Sequence, residues 1–322
     1  MKKITVSNSG LQVADGSRPN VANEALIEVS ISGICNTDLE IVKGYAGFQG
    51  TLGHEFAGIV RESPEDKSWI GKRVLGEINV GCDQCELCMA GDSRHCPDRT
   101  VLGIHNRDGC HAEFTTLPAR NLIEIPDTVS DERAVFAEPF AAAYGITEQV
   151  EIRPDTRVAV IGDGKLGILC AWALGIKTQH LFLFGKHQSK LELGQLGNAE
   201  GVLADDFERF SGYFDVVVEA SGSESGFPMA VELVRSKGKI VLKSTFQGSP
   251  VWEAWKIVVN EISVVGSRCG RFQPIVELLG DKRFPFEKLI TETVSLADGV
   301  EAMRLAGEKG VMKVLLRPES RD

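Results

Sequence analysis

Four of the eight cysteines lie in one short stretch of this 322-residue chain, and their spacing indicates metal binding. Two-residue gaps allow successive thiolates to bind the same ion, and a fourth thiolate after a short loop completes a tetrahedron. Because four thiolates leave no open coordination position, the stretch predicts a structural zinc site. Four unrelated thiols are disfavoured by this spacing, and a redox pair would not need the third and fourth cysteine. The residues are Cys82, Cys85, Cys88 and Cys96.

Three other residues have side chains of the kind that bind a catalytic zinc ion: Cys35, His54 and Glu138. A thiolate, an imidazole and a carboxylate would hold the ion and leave the fourth position for water or substrate. Each residue on its own is a weak signal. A single histidine or glutamate is more often an ordinary hydrogen-bonded side chain, and a single cysteine is more often a buried thiol. The residues alone leave both interpretations open.

A glycine-rich turn follows an apolar strand over residues 158–161 and precedes a helical stretch over 166–174. In such a turn the first glycine permits the tight bend, the second lets the backbone approach a pyrophosphate, and the third lets helix and strand pack closely. The start of the helix favours the phosphate charge. The sequence therefore predicts a dinucleotide site here, formed by Gly162, Gly164, Lys165, Leu166 and Gly167.

The cofactor's adenosine ribose is expected at the end of the second strand of this fold, about 20 residues further on. A carboxylate there would bind the 2′-hydroxyl of NAD and would repel the 2′-phosphate of NADP. The stretch 184–190 has no carboxylate, and its candidate contact residues are Gly185, Lys186, His187 and Lys190. We therefore predict NADP rather than NAD, although these cations would also fit a solvated helix start.

The order of predicted elements indicates two different domains. Residues 1 to about 125 form short strands and turns, including strands over 24–31 and 58–60, and show no sustained helical periodicity. After Asp131 the pattern changes: residues 132–150 are helical in pattern, and from Arg157 onward apolar strands alternate with helical stretches. Such alternation is typical of parallel β-α-β units with right-handed crossovers. A chain of this length usually forms more than one hydrophobic core.

Composition excludes several classes of protein. A formal charge of −10 argues against a nucleic-acid partner, which would require clustered Lys and Arg. The longest apolar stretch, 158–176, contains Asp163, Lys165 and several glycines, so we expect no membrane span. No stretch resembles a signal peptide, and reduced, clustered thiols suit the cytoplasm. We therefore expect a cytoplasmic protein.

Taken together, the motifs resemble those of the zinc-dependent medium-chain dehydrogenase/reductase superfamily, which includes the alcohol, polyol and threonine dehydrogenases. The resemblance extends along essentially the whole chain and follows the family's order. Besides the cysteine stretch and the glycine-rich turn, the resemblance is carried by residues 33–38, 53–55, 108–114, 138–139, 219–222 and 264–267. Ser221, within 219–222, is a further residue expected to contact the cofactor.

The resemblance implies an α/β fold with two domains. A GroES-like, β-rich catalytic domain would span 1–139 and be completed by 269–322, and a Rossmann domain with a doubly wound parallel sheet would span 140–268. The implied activity is zinc-dependent hydride transfer between a nicotinamide cofactor and a secondary alcohol or polyol, which interconverts the alcohol with a ketone or aldehyde. The cofactor that we predict from residues 184–190 is NADP(H). Two zinc ions per chain and a homodimer or homotetramer, paired through the Rossmann sheet edge, are also implied.

The resemblance also assigns roles to individual residues. Catalytic zinc would be bound by Cys35, His54 and Glu138, with Glu55 beside the metal as an alternative ligand. Asp38 matches the carboxylate that orients the histidine ligand. Thr37 matches the hydroxyl that accepts the proton of the substrate. A glutamate at position 138 is similar to the polyol and threonine dehydrogenases, since simple alcohol dehydrogenases have cysteine there.

Some positions depart from the family pattern. Glu40 stands where a histidine often follows the relay hydroxyl, and Cys110 and His111 interrupt a typical Asp-Gly-Gly-Phe-Ala-Glu stretch. We interpret Cys110 and His111 as packing and surface residues. The substrate pocket is expected around Tyr45, Phe48 and the stretch 104–105. The alternative function is a non-catalytic dehydrogenase-fold protein that senses a cofactor or has a structural role; it would be expected to lack metal ligands, and none is missing.

Overall fold

The computed structural model describes residues 1–245 and 251–319 of the chain. The chain folds into two compact units. The first contains Met1–Glu138, Phe272–Gly280 and the carboxy-terminal stretch that begins at Phe286. The second contains Pro139–Arg271 and the short segment Asp281–Pro285.

The strands of the described residues are numbered in chain order. They are β1 (Lys2–Ser7), β2 (Gly10–Asp15), β3 (Ala25–Gly33), β4 (Gly50–Thr51), β5 (Phe56–Glu62), β6 (Arg73–Gly76), β7 (Asn79–Val80), β8 (Thr100–Val101), β9 (Phe114–Leu117), β10 (Leu122–Glu124), β11 (Val158–Ile161), β12 (Leu181–Gly185), β13 (Glu200–Leu203), β14 (Phe214–Glu219), β15 (Val234–Leu242), β16 (Ser263–Gly266), β17 (Ile290–Ser295) and β18 (Lys313–Arg317).

The α-helices of the described residues are short. They are α1 (Asn36–Val42), α2 (Glu86–Met89), α3 (Asp131–Ala134), α4 (Ala137–Tyr144), α5 (Ile146–Gln149), α6 (Lys165–Leu174), α7 (Gln188–Gln195), α8 (Gly226–Leu233), α9 (Ala254–Val259) and α10 (Gly299–Ala306). None of the helices in the described ranges combines the length and apolar character that crossing a membrane would require.

The first unit is built on a seven-stranded sheet in the order β10-β6-β5-β3-β18-β17, with β9 also paired to β3. The strands predicted over 24–31 and 58–60 are confirmed as β3 and β5, which pair antiparallel. Strand β18 runs antiparallel to β3, with Leu315 opposite Gly33. This pairing brings the carboxy-terminal stretch next to the loop that follows β3. A smaller sheet, β2-β1-β4, packs its apolar side chains with those of α1 and α10.

The second unit contains a six-stranded parallel sheet in the order β13-β12-β11-β14-β15-β16. This order reverses direction at β11, which is the doubly wound arrangement that binds dinucleotides at the carboxyl ends of the strands. All four residues of β11 are buried, as expected for a parallel strand covered on both faces. The predicted α/β fold with a doubly wound parallel sheet is therefore confirmed.

Candidate functional site

The first cluster of candidate ligands begins at the junction between β3 and α1. Cys35 is the N-cap residue of α1 and has an extended backbone conformation. Its N–H donates to Oδ2 of Asp38 at 2.8 Å, so the first turn of the helix fixes both residues. Gly33 is required just before them, because a Cβ there would lie 2.5 Å from Cγ1 of Val135 and 2.7 Å from Oε2 of Glu55.

His54 and Glu55 lie directly before β5, where Gly53 turns the chain. Gly53 has φ +97°, and a Cβ at this position would lie 2.5 Å from the ring of His111. A side chain is therefore excluded at Gly53 by both backbone conformation and space. Both His54 and Glu55 are almost completely buried.

The structure brings Cys35, His54 and Glu55 together. Each offers one ligand atom, and these three atoms all lie within 4.8 Å of one another. Among the residues that the structure describes, none makes a well-formed hydrogen bond with the buried Nδ1 of His54, and the nearest carboxylate oxygen in an ion pair with it is Oδ1 of Asp38 at 3.4 Å. A thiolate, an imidazole oriented by a carboxylate, and a second carboxylate form a donor set that suits zinc. The residues present therefore fit the predicted metal.

Asp38 is the carboxylate that supports this cluster. It is fully buried and accepts N–H bonds from Cys35 and, at 3.2 Å, from Gly53. Burial alone would raise its pKa, but the neighbouring imidazoles of His54 and His111 hold that pKa well below its usual range. Asp38 is therefore ionised at neutral pH and available to both histidines.

Lys313, the first residue of β18, is a member of this site that sequence reasoning missed. Its ammonium group forms an ion pair with Oε2 of Glu55, and neither side chain has measurable solvent exposure. Burial would lower the pKa of Lys313, but Glu55 and the nearby charges of Cys35 and Glu138 raise it. The one available signal was a lysine at the edge of an apolar run, which did not identify its partner.

Glu138, the predicted third ligand, lies in the first turn of α4 and is partly buried. It is not a member of the group of three ligand atoms described above. Its negative charge nevertheless acts on Lys313, the partner of Glu55. The structure thus places the alternative ligand, Glu55, with Cys35 and His54, and the role of Glu138 as a ligand stays a prediction.

The interpretation of His111 as a surface residue is wrong. The side chain has no exposure, its Nδ1 lies 2.9 Å from Oγ of Ser32, and its Nε2 lies 3.5 Å from Oδ2 of Asp38. The contact arises because the β1–β4 region pairs with the segment that carries His111. Cys110 is also buried, and its thiol donates to the carbonyl of Glu55 at 3.6 Å. Its interpretation as a packing residue is confirmed.

The proton-relay region lies in α1. Thr37 is partly buried, and its Oγ1 lies 3.7 Å from Sγ of Cys35, which places the hydroxyl beside the cluster. Glu40, one turn further along, forms an exposed ion pair with Lys43 at 2.9 Å.

A cleft of about 370 Å³ in the same unit matches part of the expected substrate pocket. Its walls come from two loops, 46–49 and 104–108, and they include Phe48 and the stretch 104–105. The role of these residues in substrate binding stays a prediction. Tyr45 does not line this cleft and is about one-third exposed. The wall is mostly polar, which suits a hydrophilic ligand.

The second ligand cluster contains the four cysteines predicted to bind a structural ion. Their sulfur atoms all lie within 4.8 Å of one another, which fits the closed tetrahedral site expected of four thiolates. Cys96 is buried and accepts the N–H of Cys82 at 3.4 Å. Backbone N–H groups of Gln84 and Cys85 lower the pKa of the Cys82 thiol to about 7, whereas burial and the neighbouring thiols raise the pKa of Cys88 to about 12. In the absence of a metal the four sulfur atoms therefore differ in how readily they form thiolates.

The glycine-rich turn in the second unit has the predicted strand–turn–helix geometry. Gly162 has φ +115°, and a Cβ there would lie 2.6 Å from the carbonyl oxygen of Ala220. A Cβ at Gly167 would overlap the carbonyl oxygen of Gly162, so helix and turn meet as closely as predicted. Gly164 is the N-cap of α6, which Lys165 and Leu166 begin. Ser221 follows β14, and its hydroxyl donates to Glu219 at 2.5 Å.

The end of β12 has the cations that the sequence predicted and also a carboxylate that it did not. Lys186 and His187 are exposed and Lys190 is partly buried. The carboxylate belongs to Asp163 of the glycine-rich turn, whose Oδ2 accepts from the N–H groups of Lys186 and His187. Residues 184–190 themselves contain no carboxylate, as the sequence showed. In the folded protein, however, Asp163 places a carboxylate beside them.

Comparisons with known proteins show which family the chain is related to. Residues 21–127 match the family described as the alcohol dehydrogenase GroES-like domain. The chain is 27% identical to a sorbitol dehydrogenase of Halalkalibacterium halodurans over 92% of both proteins. It is 31% identical to an L-threonine 3-dehydrogenase of Chromobacterium violaceum over 72% of this chain and 73% of that protein.

A solved structure gives the same result for the fold. It is described as a short chain alcohol dehydrogenase, RspB, of Escherichia coli CFT073 in complex with NADH, with a TM-score of 0.89 and 26% identity over 98% of this chain and 99% of that one. The relatives identify the chain as an oxidoreductase of the dehydrogenase class. The chain belongs to the zinc-type medium-chain alcohol, polyol and threonine dehydrogenase superfamily.

Proposed function

We propose that this protein is a zinc-dependent dehydrogenase that interconverts a secondary alcohol or polyol with the corresponding ketone or aldehyde. The observation that carries this proposal is the convergence of Cys35, His54 and Glu55, with Asp38 behind the histidine. Two relatives named for sorbitol and threonine, both of which contain secondary alcohols, support this substrate class. A glutamate at position 138 supports the same branch of the family.

Several residues of the first unit would each have a separate role in the reaction. Zinc held by these residues would supply Lewis acidity toward an alcohol hydroxyl, and a bound nicotinamide would supply the hydride acceptor. Asp38 orients the imidazole of His54. Thr37, beside Cys35, would relay the proton of the substrate hydroxyl, accepting it while its own hydroxyl proton passes on toward solvent. Lys313 compensates the buried charge of Glu55 and keeps it in place.

We propose two zinc ions per chain. One would be bound by Cys35, His54 and Glu138, and the other by the four clustered cysteines. A carboxylate oxygen of Glu55 already lies beside Cys35 and His54, so Glu55 is the alternative third ligand. Because the four-cysteine site is closed, its ion would hold the loop together and take no part in the chemistry.

For the cofactor we propose NADP(H) in preference to NAD(H). Lys186, His187 and Lys190 lie beside the end of β12, where a 2′-phosphate would be bound. Separate fluorescence titrations of the protein with NADPH and NADH test the preference. Tighter binding of NADH would contradict it.

For the quaternary structure we propose a homodimer or homotetramer that pairs through the Rossmann sheet edge. Strand β16 ends the six-stranded sheet, and the neighbouring α9 region presents apolar side chains that are more than half exposed. These side chains are Trp252, Trp255, Val258 and Val259. Light scattering of the wild type and of Trp255→Asp tests this, since the variant should shift toward monomer. A wild type that is already monomeric would contradict it. A reducing, cytoplasmic compartment also stays a prediction.

The activity is tested by supplying the zinc-loaded protein with polyols, amino alcohols and aldehydes and following nicotinamide absorbance. The expected result is dinucleotide-linked turnover with at least one secondary alcohol or polyol. A protein that binds two zinc ions and the dinucleotide but turns over none of the panel would favour the non-catalytic alternative.

A further inference from the structure

The carboxylate of Asp163 is held at the carboxyl end of β12 by three hydrogen bonds. Its Oδ2 accepts from the N–H of Lys186 at 2.8 Å and from the N–H of His187 at 2.7 Å, and it lies 2.8 Å from Nδ1 of His187. The side chain is only 13% exposed. Asp163 therefore has a fixed position, although it belongs to the glycine-rich turn and not to β12.

Gly185, the last residue of β12, leaves the space that this carboxylate fills. A Cβ at Gly185 would lie 2.5 Å from Cβ of Asp163 and 2.8 Å from its Oδ2. In dinucleotide folds an acidic side chain near this strand end accepts the 2′-hydroxyl of the adenosine ribose. Asp163 thus brings a carboxylate to that place from a different element of the fold.

The chemical state of Asp163 suits such a contact. Burial would raise its pKa, but the hydrogen bonds from His187 and Lys186 lower it, so the group is an anion at neutral pH. Within the described residues its other oxygen, Oδ1, accepts no hydrogen bond. An anion with an available oxygen accepts a hydroxyl proton and repels a phosphate.

We propose that Asp163 is a specificity-determining residue for the cofactor, which accepts the 2′-hydroxyl of NAD(H) and opposes the 2′-phosphate of NADP(H). This inference rests on the proposed dinucleotide-linked function. Lys186 and Lys190 act in the opposite direction, so the preference of the wild type is the net result of two opposed effects. Asp163→Asn removes one of them without changing the size of the side chain.

The test compares the ratio of the dissociation constants for NADPH and NADH in three proteins: the wild type, Asp163→Asn and Asp155→Asn. Asp155 is an exposed residue that precedes β11, toward the amino ends of the strands. Its variant therefore removes one negative charge, as Asp163→Asn does, but far from the expected ribose position. The ratio of the NADPH to the NADH dissociation constant should fall about tenfold or more in Asp163→Asn. NADH loses a hydrogen bond from its 2′-hydroxyl to a charged group, and NADPH is freed from the repulsion between its 2′-phosphate and that group. The ratio stays within about twofold in Asp155→Asn.

Adenosine 2′,5′-bisphosphate and 5′-AMP give a second measurement that involves neither the nicotinamide nor zinc. Asp163→Asn should raise the affinity for the bisphosphate relative to 5′-AMP. Asp163→Ser, with thermal unfolding of each variant, guards against misfolding of the turn. A ratio that is unchanged or raised in folded variants overturns the role of Asp163 and leaves the proposed function intact. Failure of the wild type to bind either dinucleotide overturns both.

Discussion

Glu55 and Lys313 form an ion pair in which neither side chain is exposed to solvent. Removing one partner of such a pair leaves a buried charge without compensation, and this costs about 3–5 kcal/mol of folding free energy. Lys313→Met should therefore lower the free energy of unfolding by about that amount in urea titrations of the metal-free protein. The double variant Lys313→Met/Glu55→Gln should recover much of the loss. Equal stability of the single variant and the wild type would contradict the buried pair.

His111 provides a second imidazole beside Asp38, on the opposite carboxylate oxygen from His54. His111→Phe restores the typical family residue but removes this contact and the one to Ser32. Partners in the outer shell of a metal site typically contribute 10–100-fold to affinity, so we expect a loss of about tenfold in zinc affinity at this site. Competition with a chelator measures it, with the exposed His180→Phe as control. A zinc affinity equal to that of the wild type would show that His111 only packs.

Lys186 is exposed at the end of β12, and its charge favours a 2′-phosphate. Lys186→Ala should weaken NADPH binding about fivefold and leave NADH binding nearly unchanged, since an exposed charge contributes on the order of 1 kcal/mol. Lys282→Ala, which removes an exposed lysine from the same unit, should affect neither. This effect is opposite in sign to that of Asp163→Asn. Undiminished NADPH affinity would remove the basis for the NADP(H) preference.

Cys96 is the buried member of the four-cysteine cluster. Cys96→Ser should lose one zinc ion per chain and lower the thermal midpoint, while the ion at Cys35 remains. Zinc affinity of the wild-type cluster should also fall progressively as pH drops, because all four sulfur ligands must be thiolates and protons compete with the metal for them. Metal analysis after dialysis at several pH values measures both effects. Retention that does not change with pH would contradict the thiolate site.

Features encoded by local sequence were predictable. The doubly wound sheet follows from the alternation of strands and helices, and the four-cysteine cluster follows from the spacing of its members. The turn at Gly162 was equally clear, because its glycines are needed for reasons of backbone conformation and close packing.

Contacts between distant segments were not predictable. Lys313 is separated from Glu55 by 258 positions, and His111 from Ser32 by 79. No periodic pattern connects such residues, since only the pairing of β18 with β3 and of neighbouring segments brings them together. The contact of Asp163 with Lys186, 23 positions away, was also not predictable. The carboxylate at the end of β12 comes from the glycine-rich turn that follows β11, and not from β12 itself.

The zinc content and turnover of Cys35→Ala test the central claim most directly. The wild type should contain two zinc ions per chain and oxidise a secondary alcohol or polyol with a nicotinamide cofactor. Cys35→Ala should remain folded, keep the ion of the four-cysteine site and lose turnover, whereas Cys170→Ala, a buried thiol of the second unit, should keep both ions and full activity. A folded Cys35→Ala protein with undiminished turnover would contradict the account.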